Sequence, residues 1–259
     1  MFGLQRWQVE NTVKLIDEGN TIPFIARYRK EAHGTLDDQV LRELSEKLEY
    51  LRNLDKRREE ISTSITAQEK MTPEIEAALE KASTLAEIED IYRPFRPKRR
   101  TRASIAKEKG LEPLADAIFA QAADSASPAE LAADYIDAEK GVETVEDAIN
   151  GAMDIIAENI SDDADIRRRL RSLFTVAGVL QSRAADSEKE SVYTMYYEYD
   201  EPVNKIAGHR VLAVNRGENE GFLKVGIDVD RIKALNIINA NVLSDNGSAC
   251  TDIVRDAAA

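Results

Sequence analysis

Apolar residues recur every three or four positions along most of the first 175 residues, and only near position 225 does the interval shorten to two. The first spacing lays a stripe along a helix; the second lines one face of a strand. Trp7, Val9, Val13, Leu15 and Ile16 predict a short amphipathic helix that Gly19 can stop. Thr21 follows as an N-cap with Pro23 in the first turn, and Phe24 and Ile25 are expected to face inward. The longest run is Leu36, Val40, Leu44, Leu48, Leu51, Leu54, Ile61 and Ile65, opened by a Thr35/Asp38 capping pattern and ending near Gln68. At 1.5 Å per residue that helix would span about 45 to 50 Å, and it needs neighbours along its length.

Further helix starts are written in capping residues. Thr72-Pro73, Thr84 with Glu87, Ser127-Pro128 with Glu130, and Thr144 with Asp147 each precede an apolar periodic stretch. Residues 176–184 contain no acid and read as a strand. Leu223, Val225, Ile227 and Val229 alternate with polar or small residues and read as a second. Residues 193–217 between them read as helical, with a stop at Gly217. The expected fold is mainly α: multi-helical, with a long central helix and a small β element of two or three short strands near the C-terminal end. Residues 1–125 are expected to form an N-terminal helical domain and residues 126–259 a helical region carrying the strands. The stretch from Thr251 onward reads as the first turns of a helix cut short, the expectation for a piece of a longer protein.

Composition fits this pattern. Of 259 residues, 43% are apolar and 32% charged, while Gly (12) and Pro (7) are scarce, which favours helix. No run approaches the ~20 apolar residues that span a bilayer, and the first residues lack the apolar core of a secretory signal. The single cysteine, Cys250, excludes an internal disulfide and fits a reducing compartment. These features point to the cytoplasm, with no membrane partner.

Charge changes the picture more. The chain carries −13, yet Arg93, Arg96, Lys98, Arg99, Arg100 and Arg102 place six positive charges in ten positions without an acid. Taking those six from the total leaves −19 on the rest. Pro94 and Pro97 are expected to hold the segment extended. A basic hook on an acidic chain is neutralised by carboxylates of the same molecule, by an acidic partner, or by a phosphate backbone. On the first two readings its arginines form ion pairs and docking contacts. On the third they grip phosphates, with Tyr92 and Phe95 available to stack on bases. A second cluster, Arg167, Arg168, Arg169 and Arg171, reads as a solvated helix face.

Other chemistry has little to stand on. Two histidines, His33 and His209, and one cysteine make no metal-binding spacing, so no metal or other cofactor is expected. Both histidines are assigned structural roles, and Cys250, in a polar stretch, an incidental one. There is no phosphate-cradling loop and no nucleophile elbow. Paired acids such as Asp37-Asp38 and Asp162-Asp163 read as helix-start charge. No catalytic residue is nominated.

Three segments carry a family likeness. WQVENTVKLIDEGNTIPFIARYRKE (residues 7–31), YRPFRPKRRTRASIAKEKGLEPLA (residues 92–115) and HRVLAVNRGENEGFLKV (residues 209–225) resemble the N-terminal region of the bacterial transcription accessory protein Tex family. The resemblance implies a cytoplasmic protein linked to transcription, related in architecture to the core of a eukaryotic elongation factor. It implies a helical scaffold with a helix-turn-helix-like portion. Ribonuclease-H-like, helix-hairpin-helix and S1 domains would lie beyond this chain, the S1 domain being the main nucleic-acid binder. The implied partners are the transcription machinery or the other domains of the same full-length protein. No family active-site motif falls on this sequence. The expected function is a non-enzymatic scaffold, and the alternative is a nucleic-acid-binding module that uses residues 93–102.

Overall fold

The computed structural model describes residues 3–97 and 99–259, and the chain divides into two compact units, Met1–Tyr92 and Arg93–Ala259. In the first unit, α1 (Arg6–Asp17), α2 (Ile22–Tyr28) and α3 (Lys30–His33) pack with the start of α4 (Asp38–Ala67) around Leu15, Ile25 and Leu41. α5 (Pro73–Lys81) and α6 (Leu85–Tyr92) lie along the later part of α4. There Leu54, Ile61, Ile65, Leu79 and Ile88 are buried. Arg58 of α4 donates to the carbonyls of Leu79 (2.8 Å) and Ala82 (2.9 Å), so a cation closes the C-terminal end of α5.

The long helix keeps its expected extent, with local corrections. Its N-cap is Asp37, whose side chain accepts from the backbone of Gln39; Thr35 has φ +60 and turns its hydroxyl onto the Gly34 carbonyl. The left-handed turn at Gly34–Thr35 reverses the chain and so takes Thr35 out of capping reach. Gly34 is itself required: with φ +66, a side chain there would meet Trp7 and Gln8 at 2.8 Å. Leu41 is fully buried, whereas Leu51 is exposed, because the neighbours of α4 change along its length. Ile25 faces inward as expected, but Phe24 stands on the surface.

In the second unit, α7 (Arg102–Glu108), α8 (Glu112–Ala120) and α9 (Pro128–Ala133) surround α10 (Val145–Asp162). α11 (Ala164–Ala177), α13 (Arg231–Val242) and α14 (Thr251–Ala257) complete the helical part, with α14 also packed on α10. The core is built on Leu111, Leu114, Ile118, Ala152, Ile155 and Ile156. The Ser127/Glu130 and Thr144/Asp147 capping boxes form as the sequence predicts. Cys250 is not in polar surroundings: it is fully buried in this core, 3.7 Å from the Ser125 hydroxyl. Gln121, at φ +45 and nearly inaccessible, donates its amide to the carbonyls of Val242 (2.7 Å) and Phe119 (3.2 Å) and accepts from the Ser244 N–H (3.1 Å).

A small lobe holds β1 (Val179–Ala184), β2 (Glu198–Pro202), α12 (Gly208–Asn219) and β3 (Leu223–Asp228). The antiparallel order is β2-β1-β3, with Leu180 opposite Glu201 on one side and Ile227 on the other. Leu180, Tyr193, Tyr196, Val214 and Leu223 form its core. Three expectations change here. Residues 176 and 177 finish α11, so the first strand starts at Val179. Residues 198–202 are a strand, because they pair with β1, Tyr199 opposite Ser182, while the Tyr199 ring packs on this core. Gly217 does not stop α12; it lies within the helix where a Cβ would come within 2.6 Å of Leu223. It is small so that β3 can approach.

Candidate functional site

Asp154, Glu158 and Asp162 occur at intervals of four along α10 and therefore share one face of that helix. The adjoining face carries Ala148, Ala152, Ile155 and Ile156 into the core, which fixes the rotation of the helix and leaves Asp154 and Glu158 half-buried at its edge and Asp162 buried. The basic segment meets that face in reverse order. The Arg93 Nε donates to Asp162 Oδ1 at 2.7 Å, the Thr101 hydroxyl to Glu158 Oε1 at 3.0 Å, and the Arg102 Nε lies 3.3 Å from Asp154 Oδ1. The hook is thus a strap laid antiparallel along an acidic helix face.

The strap is not extended throughout. Residues Arg93–Phe95 make one 3₁₀ turn, and Thr101 caps α7 in a reciprocal box with Ser104. One hydroxyl thereby starts a helix and holds Glu158. Between these points the chain bridges a cleft of about 480 Å³, lined by Arg93, Arg96, Arg99 and Arg102 against Asp154, Glu158 and Asp162. Four guanidinium groups face three carboxylates, so the cleft is close to neutral rather than a basic channel.

The six nominated residues do not act as one. The Asp162 carboxylate is buried, with only 8% of its side chain exposed, so the Arg93 contact is partly desolvated. Arg102 and Arg100 are largely in solvent; Arg100 reaches Glu108 at 3.5 Å. Arg96 and Arg99 are exposed at the cleft, and Arg99 pairs with no carboxylate among the described residues. Lys98 lies outside the described residues. Tyr92 is not a free stacking platform: its hydroxyl is 3.1 Å from Ser64, and Arg57 sits 5.7 Å from its ring. Sequence reasoning named the cations and missed their counter-charges, although the 154/158/162 spacing was available to find them.

Of the two histidines, His33 has structural contacts, whereas His209 is exposed. His33 is fully buried; its Nδ1 accepts from the Leu36 N–H at 3.0 Å, which leaves Nε2 to donate to the Ile25 carbonyl at 3.2 Å. On α11, Asp165 takes both Arg168 and Arg169, and the Arg168 hydrogen bond, outweighing the opposing effect of burial, holds that carboxyl below its ordinary range. Among the described residues no cluster of three potential metal ligands exists, and no helix is long and apolar enough to cross a membrane.

A helical frame with a basic strap clasped to one of its own helices, followed by a small three-stranded antiparallel sheet, defines a mainly α fold. Residues 1–66 match the Tex-like protein N-terminal domain and residues 123–257 match the Tex central region-like family. The chain is 43% identical over 259 residues to YdcI of Bacillus subtilis, covering 98% of this chain and 36% of that protein. It is 44% identical over 232 residues to the Tex protein of Bordetella pertussis (88% and 29%). To the human S1 RNA-binding domain-containing protein 1 it is 31% identical over 237 residues (87% and 23%). The chain belongs to the Tex family of transcription accessory proteins, and it spans about a third of the length of the first two of these relatives.

Proposed function

We propose that this chain is a non-enzymatic helical scaffold of a cytoplasmic Tex-like transcription accessory protein. It holds a frame for the transcription machinery or for other domains of a longer protein, and nucleic acid is bound mainly by modules outside this chain. The observation that carries this reading is the match of the strap to α10: Arg93, Thr101 and Arg102 engage Asp162, Glu158 and Asp154 in turn. Cations committed to internal carboxylates are partly withdrawn from phosphate binding, and the chain's −13 charge opposes the rest.

A second reading rests on Arg99 and Arg100, whose side chains stand in solvent at the strap's midpoint. On that reading residues 93–102 grip phosphate directly. The two separate in one titration of labelled single- and double-stranded oligonucleotides at two salt concentrations, with the Arg99→Ala/Arg100→Ala/Arg102→Ala variant alongside. The scaffold reading expects the triple variant to bind as the parent does. Salt-dependent micromolar binding that disappears in the variant would replace it with the phosphate-gripping one.

A further inference from the structure

A second basic stretch, in the first unit, has surroundings of a different kind. From Gly19 to Lys30 the sequence contains no acid, yet Arg27, Arg29 and Lys30 fall within it. All three are exposed, and none pairs with a carboxylate among the described residues. α2 is anchored through Ile25, fully buried against the core, and this orientation leaves Phe24 and Tyr28, one turn apart, on the outer side. Phe24 is 36% exposed and Tyr28 57%. Their ring centroids lie 5.3 Å apart with the planes tilted by 47°, and the Arg29 guanidinium sits 5.3 Å from the centre of the Phe24 ring.

We propose that Phe24, Tyr28, Arg27, Arg29 and Lys30 form a landing site for single-stranded nucleic acid. The cations call for an anion that the protein does not supply, and the two rings for a flat apolar surface. A single strand offers both within one nucleotide, since its phosphate meets the cations and its base stacks on the rings. A duplex keeps its bases stacked on each other, so it would use only the charges. An acidic peptide would also satisfy the charges and leave the rings uncovered. The rings and the unpaired cations occur together, which favours the single strand.

The test is fluorescence anisotropy with the whole 259-residue chain and a labelled twelve-nucleotide oligo(U) RNA, at 50 and 200 mM salt. A duplex RNA of equal length and a poly-glutamate peptide serve as competitors. The single strand is expected to bind in the micromolar range, ahead of both competitors. Phe24→Ala/Tyr28→Ala should weaken it roughly tenfold or more. Arg27→Gln/Arg29→Gln/Lys30→Gln should lower the salt slope by about 2, at ~0.7 per phosphate contact on single strands. If the alanine pair lowers the melting temperature, Phe24→Leu/Tyr28→Leu keeps bulk while removing the π faces and should weaken binding as much. No binding by the parent chain, equal competition by duplex or peptide, or undiminished binding by the ring variants would each overturn the proposal.

Discussion

The two basic stretches of this chain look alike as strings of arginine and lysine, but they face different surroundings. The strap at residues 93–102 lies on a helix with a carboxylate at each turn, whereas Arg27, Arg29 and Lys30 share their surface with two aromatic rings and no paired acid. The lesson is that a run of positive charge has no meaning until its counter-charge is located. Where the fold provides one, the cations stabilise the fold; where it does not, they are available to a ligand.

Removing Arg93 should break this comparison most visibly. Arg93→Ala deprives the buried Asp162 of a charged donor and is expected to cost about 2 to 3 kcal/mol, lowering the melting temperature by several degrees. An unchanged melting temperature would mean that the strap does not hold the frame. Thr101→Ala should cost about 1 to 2 kcal/mol, since it removes an N-cap and the hydrogen bond to Glu158; thermal unfolding read by circular dichroism measures this.

Acid sharpens the contrast by a different route. Asp165, held low by Arg168, and Asp200, held low by Arg183, stabilise the fold only while charged. Their depressed pKa values mean that this stability is full above the ordinary carboxylate pKa of about 4 and is lost as pH falls below it. A melting-temperature profile should therefore drop as pH falls from about 4 towards 3. The smallest effect belongs to the other basic stretch: Arg27→Ala should change stability by no more than about 0.5 kcal/mol, because its side chain has no paired carboxylate to lose. A larger loss there would show that this surface is structural after all.

Helices were legible in the sequence wherever a cap and a stripe coincide. Thr144 with Asp147, and Ser127 with Glu130, fix helix starts locally, so no distant contact can move them. Signals that depend on tertiary neighbours were less legible. Residues 198–202 join a sheet because β1 lies beside them, and Gly217 sits inside a helix because Leu223 needs the space. Neither fact has a local signature. The site divides in the same way: the cations of the strap are contiguous and conspicuous, while their partners on α10 are more than fifty residues away and look like ordinary surface acids. Arg58, closing the end of α5, was indistinguishable in the sequence from the other charges on α4.

The side chain of Gln121 has a consequence for chemistry elsewhere. By joining the end of α8 to the segment after α13, it acts as a rivet that secures a loop more than 120 positions away without any covalent link. The Asn246 amide, 2.7 Å from the backbone carbonyl of the same residue, adds a second fastening. Loosening that rivet, as in Gln121→Leu, would free the loop that shields the lone thiol. Cys250, sealed in the intact protein, would then become open to alkylation, and its rate of modification would report how often the loop lifts.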